Sequence, residues 1–248
     1  MRIRLQHVVT VCLLGLASCT STSKPQSTKA TLTPATWPTS QPVNRWEKEV
    51  SAYETADKKK MPAPGGIVFY GSSTVARWKT LADDFAGLPV LNRGFGGSQS
   101  IDAVRYADRL CLKYRPKVIV YYEGDNDLAD RFAVTPQQVA RNFETFCDLV
   151  HRELPETKIF FLAIKPSPSR LKLLNPQREA NQLVIDFIAT DPIRLRYIDV
   201  FTPTLDANGQ PKPELFESDR LHVKRETYRQ WATFIRPMLE ADYPTTQP

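Results

Sequence analysis

The sequence predicts an α/β domain of three layers, with helices covering both faces of a five-stranded parallel sheet. Three observations carry that expectation. Five short runs rich in β-branched and aromatic residues recur along the chain, and segments of helical spacing lie between them. The runs are apolar at consecutive positions rather than alternate ones. A strand that is apolar on both faces must be covered on both faces, and parallel neighbours need a crossover to join them, usually a helix.

The strands are expected at 66–70, 90–92, 118–122, 158–164 and 196–200. The third, Val118-Ile119-Val120-Tyr121-Tyr122, has the strongest β-forming composition. Helices are expected at about 74–84, 99–114, 136–153, 170–190 and 224–240. The helix at 136 has the best start signal. Thr135 can cap it, Pro136 suits the first helical position, and Gln138 can reach back to complete a capping box.

Ahead of the first strand the composition changes. Met1-Arg2-Ile3-Arg4 is a short positive region, and residues 8–16 form an apolar stretch too short to span a bilayer. That stretch runs into Leu16-Ala17-Ser18-Cys19, the layout of a secretory leader with small residues before the cut. Ser, Thr, Pro, Lys and Gln dominate the next two dozen residues, with Pro25, Pro34, Pro38 and Pro42 spaced through them. Such a stretch buries too little apolar surface to fold, so a tether is expected. The expected organisation is a leader at 1–18, a tether at 19–44 and one folded domain at 45–243.

Cleavage of the leader removes Arg2 and Arg4 and lowers the formal charge of +6 by two. The remaining basic residues are scattered among acids, with no basic run interleaved with aromatics, which argues against nucleic acid as a partner. Cys12 and Cys19 belong to the leader. Cys111 and Cys147 remain, either as a bridge or as two buried free thiols. No Cys/His spacing suits a metal.

In a parallel sheet the active site forms at the C-terminal ends of the strands, so the polar residues that follow each strand are the candidates. Gly71-Ser72-Ser73 follows the first, and a serine there is either a nucleophile or a helix cap. Gly94-Phe95-Gly96-Gly97-Ser98 follows the second, where glycines let backbone N–H groups approach a ligand. Gly124-Asp125-Asn126-Asp127 follows the third, and an Asn amide there can donate to a developing oxyanion, or merely make a turn. Of the three histidines, His7 lies in the leader. His151 sits late in a helix, where a charge on a solvated face is expected. His222 remains as the candidate base, with Asp219 three residues ahead of it.

These four segments, in this order, resemble the sequence blocks of the SGNH (GDSL-type) hydrolases. Gly71-Ser72-Ser73 resembles the GDS block, Gly97 lies at the oxyanion glycine, Gly124-Asp125-Asn126-Asp127 fits GxND, and Asp219-Arg220-Leu221-His222 fits DxxH. The resemblance implies a flavodoxin-like fold and ester hydrolysis through an acyl-enzyme. Ser73 would be the nucleophile, with Asp219 and His222 as its partners. The backbone N–H groups of Ser73 and Gly97 and the Asn126 side chain would form the oxyanion hole. It implies no metal and no cofactor. Ser72 stands where the family has Asp, which can alter the rigidity of the nucleophile turn. The leader likewise resembles the lipobox of bacterial lipoproteins. That implies a lipid on Cys19, attachment to the cell envelope and, in a double-membraned host with Thr20 following the Cys, the outer membrane.

The expected substrates are short acyl esters of glycans, acetyl above all. The connection from 201 to 219 is polar and turn-like and offers little cover for a fatty chain, although Phe95, Phe132 and Leu215 could supply apolar walls. A lysophospholipase or thioesterase, or a weakly active envelope-binding lipoprotein, are the alternatives. A monomer is expected.

Overall fold

The structure, a computed structural model, describes residues 45–129 and 134–243. The leader, the tether, Cys19 and Phe132 lie outside the described residues.

Five strands form one parallel sheet: β1 (Ile67–Gly71), β2 (Val90–Gly94), β3 (Val118–Tyr122), β4 (Lys158–Leu162) and β5 (Leu195–Ile198). Their order is β2-β1-β3-β4-β5, the flavodoxin-like order. The register pairs Gly71 with Gly94 on one side and with Tyr122 on the other, so all three strands end together at the site.

Alternate residues face opposite layers. Ile67, Phe69, Val118, Val120, Tyr122, Phe160 and Leu162 form one core with Trp78, Phe85 and the inner face of α8 (Arg225–Asp242), notably Trp231, Ile235 and Leu239. On the other face, Tyr70, Tyr121 and Phe161 pack against Phe143 and Phe146 of α6 (Pro136–Glu153). Each such large side chain, fully buried, contributes roughly 1.5–3 kcal/mol.

Several helices differ from expectation. The segment expected as one helix at 74–84 is two short ones, α2 (Ser73–Ala76) and α3 (Leu81–Asp84). Trp78 breaks it: its ring is pinned between Phe69, Phe85 and Tyr228, and its Nε1 donates to Asp84 Oδ2 at 2.7 Å. The segment at 99–114 is likewise split into α4 (Ser100–Arg105), α5 (Ala107–Leu110) and a 3₁₀ turn. The break falls at Tyr106, whose ring is buried edge-on against Phe95. The fourth expected helix begins as a 3₁₀ turn at Pro168–Leu173 before α7 (Leu174–Ile188).

At 136, Thr135 caps as expected, accepting from the Gln138 N–H. The Gln138 side chain donates to Asn142 instead of turning back, so only half of the expected box forms. One helix was not foreseen. α1 (Glu47–Lys59) has a weak apolar stripe and is held by ion pairs, Asp57 to Arg93 and Glu47 and Glu54 to Arg109. Cys111 and Cys147 are both free and buried. Among the described residues, no helix is long and apolar enough to cross a membrane.

Candidate active site

The site begins with a turn that only glycine allows. Gly71 has φ +137°, and a Cβ there would lie 1.9 Å from the Tyr122 carbonyl oxygen. The next amide, Ser72 N–H, donates to that same carbonyl at 3.0 Å. The Ser72 carbonyl accepts from Val75 and Ala76, which starts α2. Ser72 therefore occupies the cap position, without a side-chain cap bond, and Ser73 is the first helical residue. Ser73 is thus not the N-cap serine that its position before a helix also allowed.

The Ser73 hydroxyl lies 3.0 Å from His222 Nε2, and His222 Nδ1 lies 2.6 Å from Asp219 Oδ2. A carboxylate on Nδ1 selects the tautomer with its hydrogen there, which leaves Nε2 bare to accept from Ser73. Asp219 and His222 ride on a short hairpin. Glu217 N–H donates to the His222 carbonyl and Lys224 N–H to the Leu215 carbonyl, while buried Phe216 and Val223 pair beneath them. At the tip Arg220 adopts a left-handed φ of +58°. Asp219 Oδ1 closes the turn by accepting from the Leu221 and His222 amides at 3.0 and 2.9 Å. Slight burial opposes ionisation of Asp219, but the hydrogen bonds from His222 and these amides hold its carboxyl well below the usual range.

The Gly96–Gly97 turn lies beside Ser73. A Cβ on Gly96 would sit 3.9 Å from that of Ser73, and Gly97 is left-handed at φ +82°. Trp46 Nε1 holds the turn through the Gly96 carbonyl at 3.0 Å. Among the described residues, the Ser73 and Gly97 amides donate to no protein acceptor. Asn126 is buried, with its Nδ2 donating to the Ser98 carbonyl at 3.0 Å and its Oδ1 accepting from Arg170 Nη2 at 2.9 Å. Arg170 has only donors, so the amide cannot flip. One Nδ2 hydrogen is spent on Ser98 and one remains.

Residues 65–230 match the GDSL-like lipase/acylhydrolase family. The chain belongs to this family. Among solved structures it is similar to one from Streptococcus pneumonia, provisionally named a platelet activating factor. The two are 23% identical with a TM-score of 0.68, over 78% of this chain and 92% of that one. A GDSL-like lipase from Bacteroides thetaiotaomicron has a TM-score of 0.66 at 18% identity, over 77% and 97%. A lipase/acylhydrolase from Enterococcus faecalis has 0.57 at 19%, over 74% and 100%. At these identities the likeness is one of fold. No curated protein matches the chain by sequence. As a GDSL-like family member, the protein is an ester hydrolase.

The turn after β3 is held partly by its own acids and partly by Lys165 and Arg170, which lie outside the segments singled out in the sequence. Asp125, buried, accepts from Arg170 Nη1 at 2.5 Å, Lys165 Nζ at 3.1 Å and the Tyr122 hydroxyl at 3.2 Å. Burial opposes its charge, but Lys165 and Arg170 outweigh that and bring its carboxyl down to about 2. Asp127 fixes the next turn, taking both the N–H and the hydroxyl of Ser100. Burial pushes it up to about 6, against those two bonds.

Buried Glu123 faces Ser98 Oγ at 2.6 Å. That hydroxyl has one hydrogen and two acceptors, Glu123 and the Phe95 carbonyl. A protonated Glu123 resolves the count by donating to Ser98, in accord with the strong upward push of burial on its carboxyl. Lys165 and Arg170 were missed, although Lys165 is a charged residue directly after an apolar strand, the pattern that marked the other three turns.

Other expectations are corrected. His151 is not on a solvated face: it is half-buried, its Nε2 lies 3.0 Å from the Thr157 carbonyl, and burial lowers its pKa. Phe95 is fully buried and walls no site, and Leu215 packs against the core. Among the described residues, no group of three His, Cys, Asp or Glu is placed to hold a metal ion.

Proposed function

We propose that the protein hydrolyses short acyl esters, acetyl above all, carried on glycans, with Ser73 as nucleophile. The contact that carries this reading is the 3.0 Å approach of Ser73 Oγ to His222 Nε2, with Asp219 behind the ring. His222 takes the Ser73 proton as the hydroxyl attacks the ester carbonyl. The charge that collects on the carbonyl oxygen meets the Ser73 and Gly97 amides and the free Asn126 hydrogen, each such donor being worth about 3 kcal/mol. His222 then gives its proton to the leaving alcohol, and water repeats the sequence on the acyl-enzyme.

The short acyl group is supported by what lies around the triad. A cavity of about 530 Å³ borders His222, walled by Arg77, Lys79 and Glu217 together with Val223 and Tyr228, and we assign it to the leaving alcohol rather than to the acyl chain. A long acyl chain needs a mostly apolar groove. Phe95, which could have supplied one, is sealed in the core.

The test has two parts. A fluorophosphonate probe should label the wild type and fail on Ser73→Ala; labelling that survives Ser73→Ala but is lost in Ser72→Ala would move the nucleophile. A chain-length series of p-nitrophenyl esters, each below its micelle concentration, should give the highest kcat/KM for acetyl. A clear preference for C12 would replace the glycan reading with a lipase-like one. The sequence further supports a lipid anchor on Cys19 at the cell envelope. Cys19→Ala should then abolish labelling by a metabolically supplied fatty acid, and an unlabelled wild type would remove the anchor.

A further inference from the structure

We propose that the cavity beside His222 is a subsite for an anionic group, a carboxylate or a phosphate, on the alcohol portion of the ester. The inference rests on ester hydrolysis at Ser73 and is independent of the acyl group.

Position decides which part of the substrate enters. The leaving oxygen must come within reach of His222 Nε2 to collect its proton, so the alcohol lies on the His222 side of Ser73, away from Gly97 and Asn126. His222 is itself a wall of the cavity, along with Val223 and Tyr228. Arg77, another wall, follows Ser73 by one turn: its N–H donates to the Ser73 carbonyl at 2.9 Å. Residues four apart share a face, so Arg77 stands beside the nucleophile.

Charge decides what chemistry fits. Arg77, Lys79 and Arg225 line the cavity against a single acid, Glu217. Arg77 and Lys79 are exposed, and among the described residues neither side chain makes an ion pair or a hydrogen bond. Arg225 is held by Asp84 through Nη2 at 2.7 Å, while its Nη1 is buried without a partner. Arg225 also opens α8, an 18-residue helix whose N-cap, Lys224, supplies no side-chain cap. The positive end of the helix and its first amides therefore add to the same field. A neutral sugar hydroxyl would leave these charges unanswered, whereas a carboxylate or phosphate pairs with them directly.

The test uses two pairs of acetate esters that differ at one group, neutral in one member and anionic in the other: acetylated methyl glucoside against acetylated methyl glucuronate, and acetylated glycerol against acetylated glycerol phosphate. At low ionic strength kcat/KM should favour the anionic member of at least one pair by about tenfold, mostly through KM. The pair with the larger ratio tells carboxylate from phosphate. The ratio should shrink in roughly 0.5 M salt. In Arg77→Gln/Lys79→Gln it should fall to within about twofold of unity, but it should persist in Lys58→Gln, a remote control for overall charge. Melting curves confirm that the double variant folds. Equal rates within both pairs, or a ratio that survives the double variant, would overturn the subsite while cleavage of the neutral esters keeps ester hydrolysis standing. No cleavage of any ester, p-nitrophenyl acetate included, would overturn both.

Discussion

The two flanks of Ser73 are built in different ways. On the oxyanion side, Asn126, Asp125, Asp127 and Lys165 are buried, and the turn after β3 is tied to the loop after β4 by charge-assisted bonds. On the base side, Asp219 is 42% exposed, and the residues that orient His222 lie within three positions of it in sequence. The first arrangement is a piece of the core that happens to point a donor outward. The second is a short turn that carries its own geometry. Removing a part of the first should disturb the fold and the chemistry together, and removing a part of the second should disturb chemistry alone.

The largest effect is expected on the exposed flank. His222→Ala should lower kcat by about as much as loss of the nucleophile, at least roughly 10³-fold, because the two act as one unit. Its melting temperature should stay close to that of the wild type. A large drop in melting temperature would break the contrast. His151→Ala as the inactivating change instead would unseat the base assignment.

Arg170→Leu tests the buried flank. It frees the Asn126 amide to rotate and strips one of the two cations from Asp125. We expect kcat to fall by about 10- to 100-fold and stability to fall by about 2–4 kcal/mol, measured by steady-state kinetics and urea unfolding. Asp219→Asn should instead cut activity with under about 1 kcal/mol lost, since an exposed carboxylate contributes little to folding. If Arg170→Leu and Asp219→Asn changed stability equally, the two flanks would not differ as described.

The smallest effect is a slope. Asp127 has a folded pKa of about 6, above its ordinary 3.8. Between those values the folded state holds more protons than the unfolded chain. This group's contribution is therefore greatest at low pH and is lost as pH rises through 6, by at most roughly 3 kcal/mol in all. Asp127→Asn should remove that part of the slope. Unfolding free energies of wild type and variant from pH 4.5 to 7.5 would measure it, and parallel lines would count against it.

The sheet and the four polar turns were legible because strands declare themselves by composition, and the polar residues after each one are few. Helix ends were less legible where a buried ring overrode local propensity, as Trp78 and Tyr106 do. α1 was invisible because its anchors, Arg93 and Arg109, lie far along the chain. Arg170 escaped for the same reason: its partner is 44 residues away, and no periodicity links a guanidinium to an amide across a fold. The pairing of Asp219 with His222 was readable because the two lie three residues apart, whereas the hairpin that carries them was not expected.

The bond between Ser73 and His222 spans 149 residues of sequence. During synthesis the Ser73 turn, the Gly97 and Asn126 turns and all five strands emerge before His222 does. A ribosome-bound chain can therefore acquire most of its sheet with no means of cleaving an ester. In the finished fold Phe216 and Val223, at the base of the hairpin, pack into the core that α8 completes. Activity is thus a late and stringent reporter of finished folding. A chain truncated within α8 should lose turnover through loss of this packing, even where its sheet remains intact.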